Sequence, residues 1–343
     1  AASADRPALK FIRIIIVIGR KSNMFSLVAR RLYARPPSVW MSLSAHHGGQ
    51  QCWHSTSLPN NCTTTQQFET LLVSFPEKYV AHVQLNRPKQ MNAMNLSMWR
   101  ELGECFEALG EDPKCRSIVI SGNGKAFTAG LDLKEVGEIL MGPSEGTDAA
   151  RKAFFLRKFI GGLQNSITSI EHCNKPVVAA VAGPCIGAGV DLITACDIRY
   201  CTEDEATYFQ VKEVDVGLAA DVGTLQRLPT VMGSRSLVAE LCFTGRRLPA
   251  AEALSCGLVS RGFAGPEALL AGALGTAAAA AAKSPVAVQG TKVNLLYARD
   301  RGVAEGLRHN ALWNAAAMQT GDISKAVSAL LLKQHEDPDF EDI

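Results

Sequence analysis

"KPVVAAVAGPCIGAGVDLITACDIRYC", Lys175 to Cys201, decides how the rest of this chain is read. VVAAV is a short apolar run bounded by proline and glycine, the pattern of a buried strand. A glycine-rich turn follows, then a short apolar helix, then a second strand-like run at "IRYC". Strand, loop, helix, strand is the repeating unit of α/β folds, in which the loops after the strands carry the chemistry. Gly187 and Gly189 flank Ala188 at the start of the helix. The first N–H groups of a helix lack intrahelical partners and sit at the positive end of its dipole. A bare Ala188 N–H there makes a site for an oxygen that is gaining negative charge.

The same texture extends on both sides of this stretch. Upstream, "LLVSF" and "VAHVQL" are strand-like and separated by "PEKY", which predicts an antiparallel hairpin. "NLSMWRELGECFEALGED" has apolar residues at helical spacing, with Asn95 placed to cap it, and "SIVISGNG" is a buried strand ending in a glycine turn. From Gly265 the pattern turns helical, through an alanine run from Ala277 to Ala282 closed by Pro285, and continues as amphipathic helix to Lys333. The tail "HEDPDFEDI" is polar and is expected to fray. The chain is thus divided into residues 1–67, a targeting and disordered region; 68–264, an α/β core; and 265–343, a helical region.

Composition removes several function classes. With 343 residues, 47% of them hydrophobic, the chain has ample material for a buried core. A net charge of +2 leaves no basic footprint for nucleic acid. The ten cysteines contain no CxxC pair and mostly lie in apolar runs, so they read as reduced packing groups. Cys185 is one of these, since no basic residue adjoins it. "GAGVDL" has Leu192 where a dinucleotide fingerprint needs its third glycine, and "SGNGKAF" has Ala126 where a phosphate loop needs Ser or Thr. His82, His172 and His309 lie in no nucleophile motif.

The amino-terminal region differs in kind. No acid occurs between Arg6 and Gln67, while "MFSLVARRLYARPPS" from Met24 sets Arg30, Arg31 and Arg35 among apolar residues, the composition of a mitochondrial transit peptide. The expectation is a start at Met24, residence in the mitochondrial matrix, and no membrane span, Ile14 to Ile18 being too short for one. The carboxy-terminal "EDI" is unlike a peroxisomal SKL signal.

"KAFTAGLDL" (Lys125 to Leu133) and the opening stretch resemble, in order, the two signature segments of the crotonase superfamily, the enoyl-CoA hydratase/isomerase family. The resemblance covers about Phe68 to Lys333. It implies a ββα spiral core with a carboxy-terminal helical oligomerisation region, a homo-oligomer of hexamer size, acyl-CoA thioesters as substrates, and no metal or redox cofactor, coenzyme A being part of the substrate. It also implies an oxyanion hole made by the backbone N–H groups of Leu131 and Ala188. Ala129, Gly130, Leu131, Asp132 and Leu133 would line the coenzyme A side.

The acids narrow the activity. "EVDVGLAADVG", Glu213 to Gly223, holds Glu213, Asp215 and Asp221 among Val, Gly, Leu and Ala, side chains that exclude water and raise carboxyl pKa values. A hydratase of this family carries a glutamate at each of two positions, matched here by Asp191 and Glu213, and a glycine at the place of Asp221. The set Asp191, Glu213 and Asp221 instead resembles the branch that shifts the double bonds of 3,5-dienoyl thioesters. Such a shift takes a proton from C2 and returns one to C6, more than one carboxylate easily reaches. Glu213 and Asp221, at the two ends of one loop, would flank the substrate, with Asp191 tuning them and Asp215 outside the chemistry. Which of the pair takes the C2 proton is left open. The alternatives are an enoyl-CoA hydratase, a delta(3)-delta(2)-enoyl-CoA isomerase, or a non-catalytic binding protein on the same fold. "TEDEATYFQ" is two residues longer than the pattern implies ahead of Glu213.

Overall fold

Residues 67–140, 148–333 and 338–343 are described by a computed structural model of the chain. The segment read as a targeting region lies outside them. The predicted hairpin forms: β1 (Leu71–Glu77) pairs antiparallel with β2 (Val80–Leu85), Leu71 opposite Leu85. The helix α1 (Leu96–Glu111) follows, and Asn95 caps it by accepting the Met98 N–H at 3.1 Å. Next come β3 (Ser117–Gly122), α2 (Leu133–Leu140), α3 (Ala149–His172), β4 (Val177–Val181), β5 (Cys185–Ile186), α4 (Ala188–Ala195), β6 (Ile198–Thr202) and β7 (Tyr208–Gln210). After a 3₁₀ turn at Glu213–Val216, the chain continues through α5 (Thr224–Val231), α6 (Arg235–Thr244), β8 (Leu248–Pro249), α7 (Ala250–Ser255) and β9 (Arg261–Phe263). The carboxy-terminal helices are α8 (Pro266–Ala281), α9 (Pro285–Arg299), α10 (Val303–Ala317) and α11 (Asp322–Leu331).

Two sheets result. The larger has the order β1-β2-β3-β4-β6-β9 and is parallel from β2 onward; the smaller has the order β5-β7-β8. The chain therefore alternates between sheets and adds helices as it goes: β4, β5, α4, then β6, β7, α5. This is the expected ββα spiral.

Period-two alternation splits the buried residues of the large sheet between two cores. Ala81, Val83, Ile118, Ile120, Val177 and Ala179 face the core shared with α1, α3 and α4, whereas Val80, Val119, Val178 and Ala180 face α8. Leu269, Ala273, Ala277 and Ala281 recur every four residues and form the buried stripe of α8. Small residues there let the helix lie close on the strands, so the alanine run is packing surface. The sequence reading grouped α8 with the carboxy-terminal helices; in space it covers the second face of the sheet.

The tail corrects the expectation of fraying. Phe340 is buried, and the Arg116 guanidinium, itself buried against the Tyr79 ring, donates to the Phe340 carbonyl at 2.6 Å and to Asp342 at 2.5 Å. A buried guanidinium needs acceptors, and the last residues supply them. Among the described residues no single helix is long and apolar enough to cross a membrane.

Candidate active site

The two signature loops run side by side. Thr128 bridges Cys185 in parallel, its N–H donating to the Pro184 carbonyl at 3.1 Å and its carbonyl accepting from Ile186 at 3.1 Å. On the other side, Met94 donates to the Gly130 carbonyl and accepts from the Asp132 N–H, which turns the N–H of Leu131 away from Met94. Gly130 has φ +85°, and a Cβ there would stand 2.7 Å from the Ile186 carbonyl and 3.5 Å from the Ala188 nitrogen. Only glycine permits both that backbone and that approach. Ala188 is the first residue of α4 after Gly187, at φ +53°. A Cβ on Gly189 would meet Thr128 Cγ2 at 2.5 Å, so this glycine is what lets α4 press on the first loop. The Leu131 and Ala188 amides are thus held on neighbouring loops by contacts that leave no slack.

Asp132, expected on the coenzyme A side, is partly exposed and has a partner of its own. Its carboxylate is paired with Arg87 at 2.9 Å, and the same guanidinium donates to the Ala93 carbonyl. Hydrogen bonding and charge from Arg87 hold the Asp132 carboxyl below its ordinary range, so it is an anion that pins the Leu131 loop. Ala129 and Leu131 are partly exposed and Leu133 is 52% exposed, leaving them open to a ligand. Arg87 was missed because its partner lies 45 residues away.

Asp191, Glu213 and Asp221 come together around the start of α4. Asp191, in the first turn of α4, is 1% exposed and accepts the backbone N–H of Thr224, the first residue of α5. Burial pushes its carboxyl up to about 6; the Thr224 contact opposes that rise and the charge of Asp221 adds to it. Glu213 begins the 3₁₀ turn after β7, and a Cβ on Gly187 would lie 3.4 Å from its Oε1. Its Oε2 is buried with no hydrogen-bond partner among the described residues. Burial raises the Glu213 carboxyl to about 7, with repulsion from Asp191 and then Asp221 contributing. Asp221, three residues before α5, stands at the rim: it is exposed, yet partial desolvation still raises its carboxyl.

The source of that desolvation differs from the sequence reading. Val214, Val216 and Leu218, expected to exclude water around the acids, are 39%, 47% and 43% exposed. Glu213 instead packs against the start of α4, and its turn packs against α6. Asp215 pairs with Lys212 at 2.7 Å, three residues away in the same loop. Cys185 is fully buried and its thiol is raised well above the ordinary range, as expected of a packing group. Residues 203–207, the longer segment ahead of Glu213, close as a turn in which Thr207 donates to Asp204 Oδ1 at 2.9 Å. The acid triplet therefore forms despite the extra length.

A family model described as "Enoyl-CoA hydratase/isomerase" matches residues 76–342, and the chain belongs to that family. Within it, the chain is 55% identical to the mitochondrial Delta(3,5)-Delta(2,4)-dienoyl-CoA isomerase of Mus musculus over 267 residues, 78% of this chain and 81% of that one. It is 42% identical to the peroxisomal enzyme of the same name from Arabidopsis thaliana over 79% of this chain and 97% of the relative. Among solved structures, a putative enoyl-CoA hydratase from Streptomyces coelicolor A3(2) superposes with a TM-score of 0.72 at 26% identity, covering 83% of this chain and 99% of that one.

Proposed function

We propose that this chain isomerises 3,5-dienoyl-CoA thioesters to 2,4-dienoyl-CoA. The carrying observation is that a half-buried acid, Glu213, abuts Gly187 just before the Ala188 amide while a second, Asp221, stands at the far end of the same loop. With the thioester oxygen on the Leu131 and Ala188 amides, C2 lies next to the hole and therefore next to Glu213. Glu213, with a pKa of about 7, takes the C2 proton near neutral pH. The electron pair spreads through the diene onto the thioester oxygen, where each amide donor is worth about 3 kcal/mol of barrier. Asp221 returns a proton at C6, and Asp191 adds negative charge that keeps Glu213 basic. The names of the mouse and Arabidopsis relatives support the same reaction.

A hydratase would need two acids on one water, and Asp221 would intrude where that acyl chain runs. A non-catalytic role leaves the raised carboxyls of Glu213 and Asp191 without a purpose. The proposed proton transfer uses no metal or redox group, and coenzyme A enters as part of the substrate. The mitochondrial matrix is the proposed site of action, from the Arg-rich segment after Met24 and the mouse relative. A homohexamer is the proposed assembly, supported by the apolar outer faces of α9 to α11.

The test is to offer the purified protein a 3,5-dienoyl-CoA and a 2-enoyl-CoA side by side. Appearance of the conjugated 2,4-diene is the expected dominant reaction. Faster hydration of the 2-enoyl thioester would overturn the reading.

A further inference from the structure

Asp221 is exposed at the rim, and beyond the bond from its own backbone amide its place has to be fixed from outside the loop. What fixes it lies behind it. Gln164, Thr168 and Glu171 are spaced i, i+4 and i+7 along α3 and so share one face of that helix. Gln164 Nε2 donates to the backbone carbonyl of Asp221 at 2.6 Å. Thr168 and Glu171 receive the Arg227 guanidinium, Nη2 donating to Thr168 Oγ1 at 3.2 Å and to Glu171 Oε2 at 3.0 Å. Arg227 and Glu171 are 9% and 5% exposed. From α5 the guanidinium folds back beneath the segment between Asp221 and Thr224. Its Nη1 donates to the Val222 carbonyl at 3.5 Å and fills the space a Cβ on Gly223 would take, where φ is +139°.

We infer that Arg227, anchored on Glu171 of α3 and assisted by Gln164, is a positioning residue that sets Asp221 against Glu213 and Asp191. This rests on the isomerase reading, since it assigns Asp221 a proton to deliver. The chain path supports it: residues 221–223 run directly into Thr224, whose N–H holds Asp191, so one buried guanidinium braces the segment serving both aspartates. Glu171 also pairs with Arg299 of α9, so its charge keeps a partner when Arg227 is replaced.

The experiment measures kcat and KM for a 3,5-dienoyl-CoA in the full chain carrying Arg227→Met, Arg227→Lys or Gln164→Leu, each alone and with Asp221→Asn. Arg227→Met and Gln164→Leu are expected to lower kcat by about 10-fold with KM within about 2-fold, since misplacing one proton-transfer group by an ångström costs turnover more than binding. Arg227→Lys, which keeps the charge, is expected to recover most of the loss. On the Asp221→Asn background the Gln164→Leu loss should shrink to under about 2-fold, because a residue acting only through Asp221 has nothing left to position, and the Arg227→Met loss should shrink to the smaller part that Arg227 exerts on Asp191 through Thr224. Gln164 is exposed, so its variant carries the test if Arg227→Met folds poorly. An active wild type whose variants raise KM in step with the fall in kcat, or whose losses multiply with Asp221→Asn, overturns the positioning role alone. An inactive wild type overturns the isomerase reading and this role with it.

Discussion

Gly187 and Glu213 meet at the centre of the site: a Cβ on the glycine would stand 3.4 Å from Glu213 Oε1, and the glycine holds φ +53°. In the proposed reaction the peptide that would present the Ala188 amide to an oxyanion is therefore packed against the acid that would handle the neighbouring proton. Charge arriving on the oxygen and charge leaving the carboxylate would then be coupled at short range.

The pH dependence of turnover follows from Glu213. Its carboxyl is raised to about 7, so as the C2 base it is ionised above that value and protonated below it. We expect kcat/KM to fall as pH drops through about 7, a limb that a pH–rate profile measures directly. A profile flat from pH 8 to 5 would remove Glu213 from the role of base.

The same shift has a consequence for stability. Folded Glu213 holds its proton up to about 7, whereas the unfolded side chain releases it near 4.5. Stability is then fullest below about 4.5 and is lost as pH rises through about 7. Glu213→Gln removes that loss, and we expect it to be more stable than wild type by on the order of 1 kcal/mol at pH 8, the gain vanishing at pH 4.5. Thermal unfolding at the two pH values checks both halves.

The carboxy-terminal residues are structural. Deleting 338–343 strips the Phe340 and Asp342 acceptors from Arg116, which is 5% exposed. An orphaned buried donor costs about 1–3 kcal/mol, so the melting temperature is expected to fall by several degrees. An unchanged melting curve would mean that water replaces the tail without cost.

Leu295, Leu307, Leu312, Leu330 and Leu331, on α9 to α11, are each between 64% and 78% exposed. Apolar surface at that density favours burial between copies. Light scattering is expected to report a mass near six times 36.7 kDa, reduced by Leu312→Asp. A monomer at micromolar concentration would contradict the assembly.

Much of this was legible in the sequence because it is written in local pattern. VVAAV, the cap at Asn95, the glycines of the second loop and the three acids each announce themselves within a few residues. Distant partners do not. Arg87 on Asp132, Arg227 on Glu171 and Arg116 on the tail join residues 45, 56 and 226 positions apart, and no short-range signal marks such pairs. The drying of Glu213 was assigned to its loop neighbours for the same reason. Valines beside an acid look protective in a sequence, but here they are exposed, and the acid packs instead beside the start of α4 in a turn held against α6.

The division of labour between Glu213 and Asp221 is tested most directly by turnover of a 3,5-dienoyl-CoA by Asp221→Asn. The substitution keeps size and hydrogen bonding but cannot exchange a proton at C6. We expect kcat to fall about 100-fold or more, the usual loss for a positioned acid or base, with KM little changed because the two amide donors remain. Asp215→Asn, in the same loop but paired with Lys212, should stay near wild type. If Asp221→Asn turns over the dienoyl thioester at the wild-type rate, the two-acid proton shuttle is wrong.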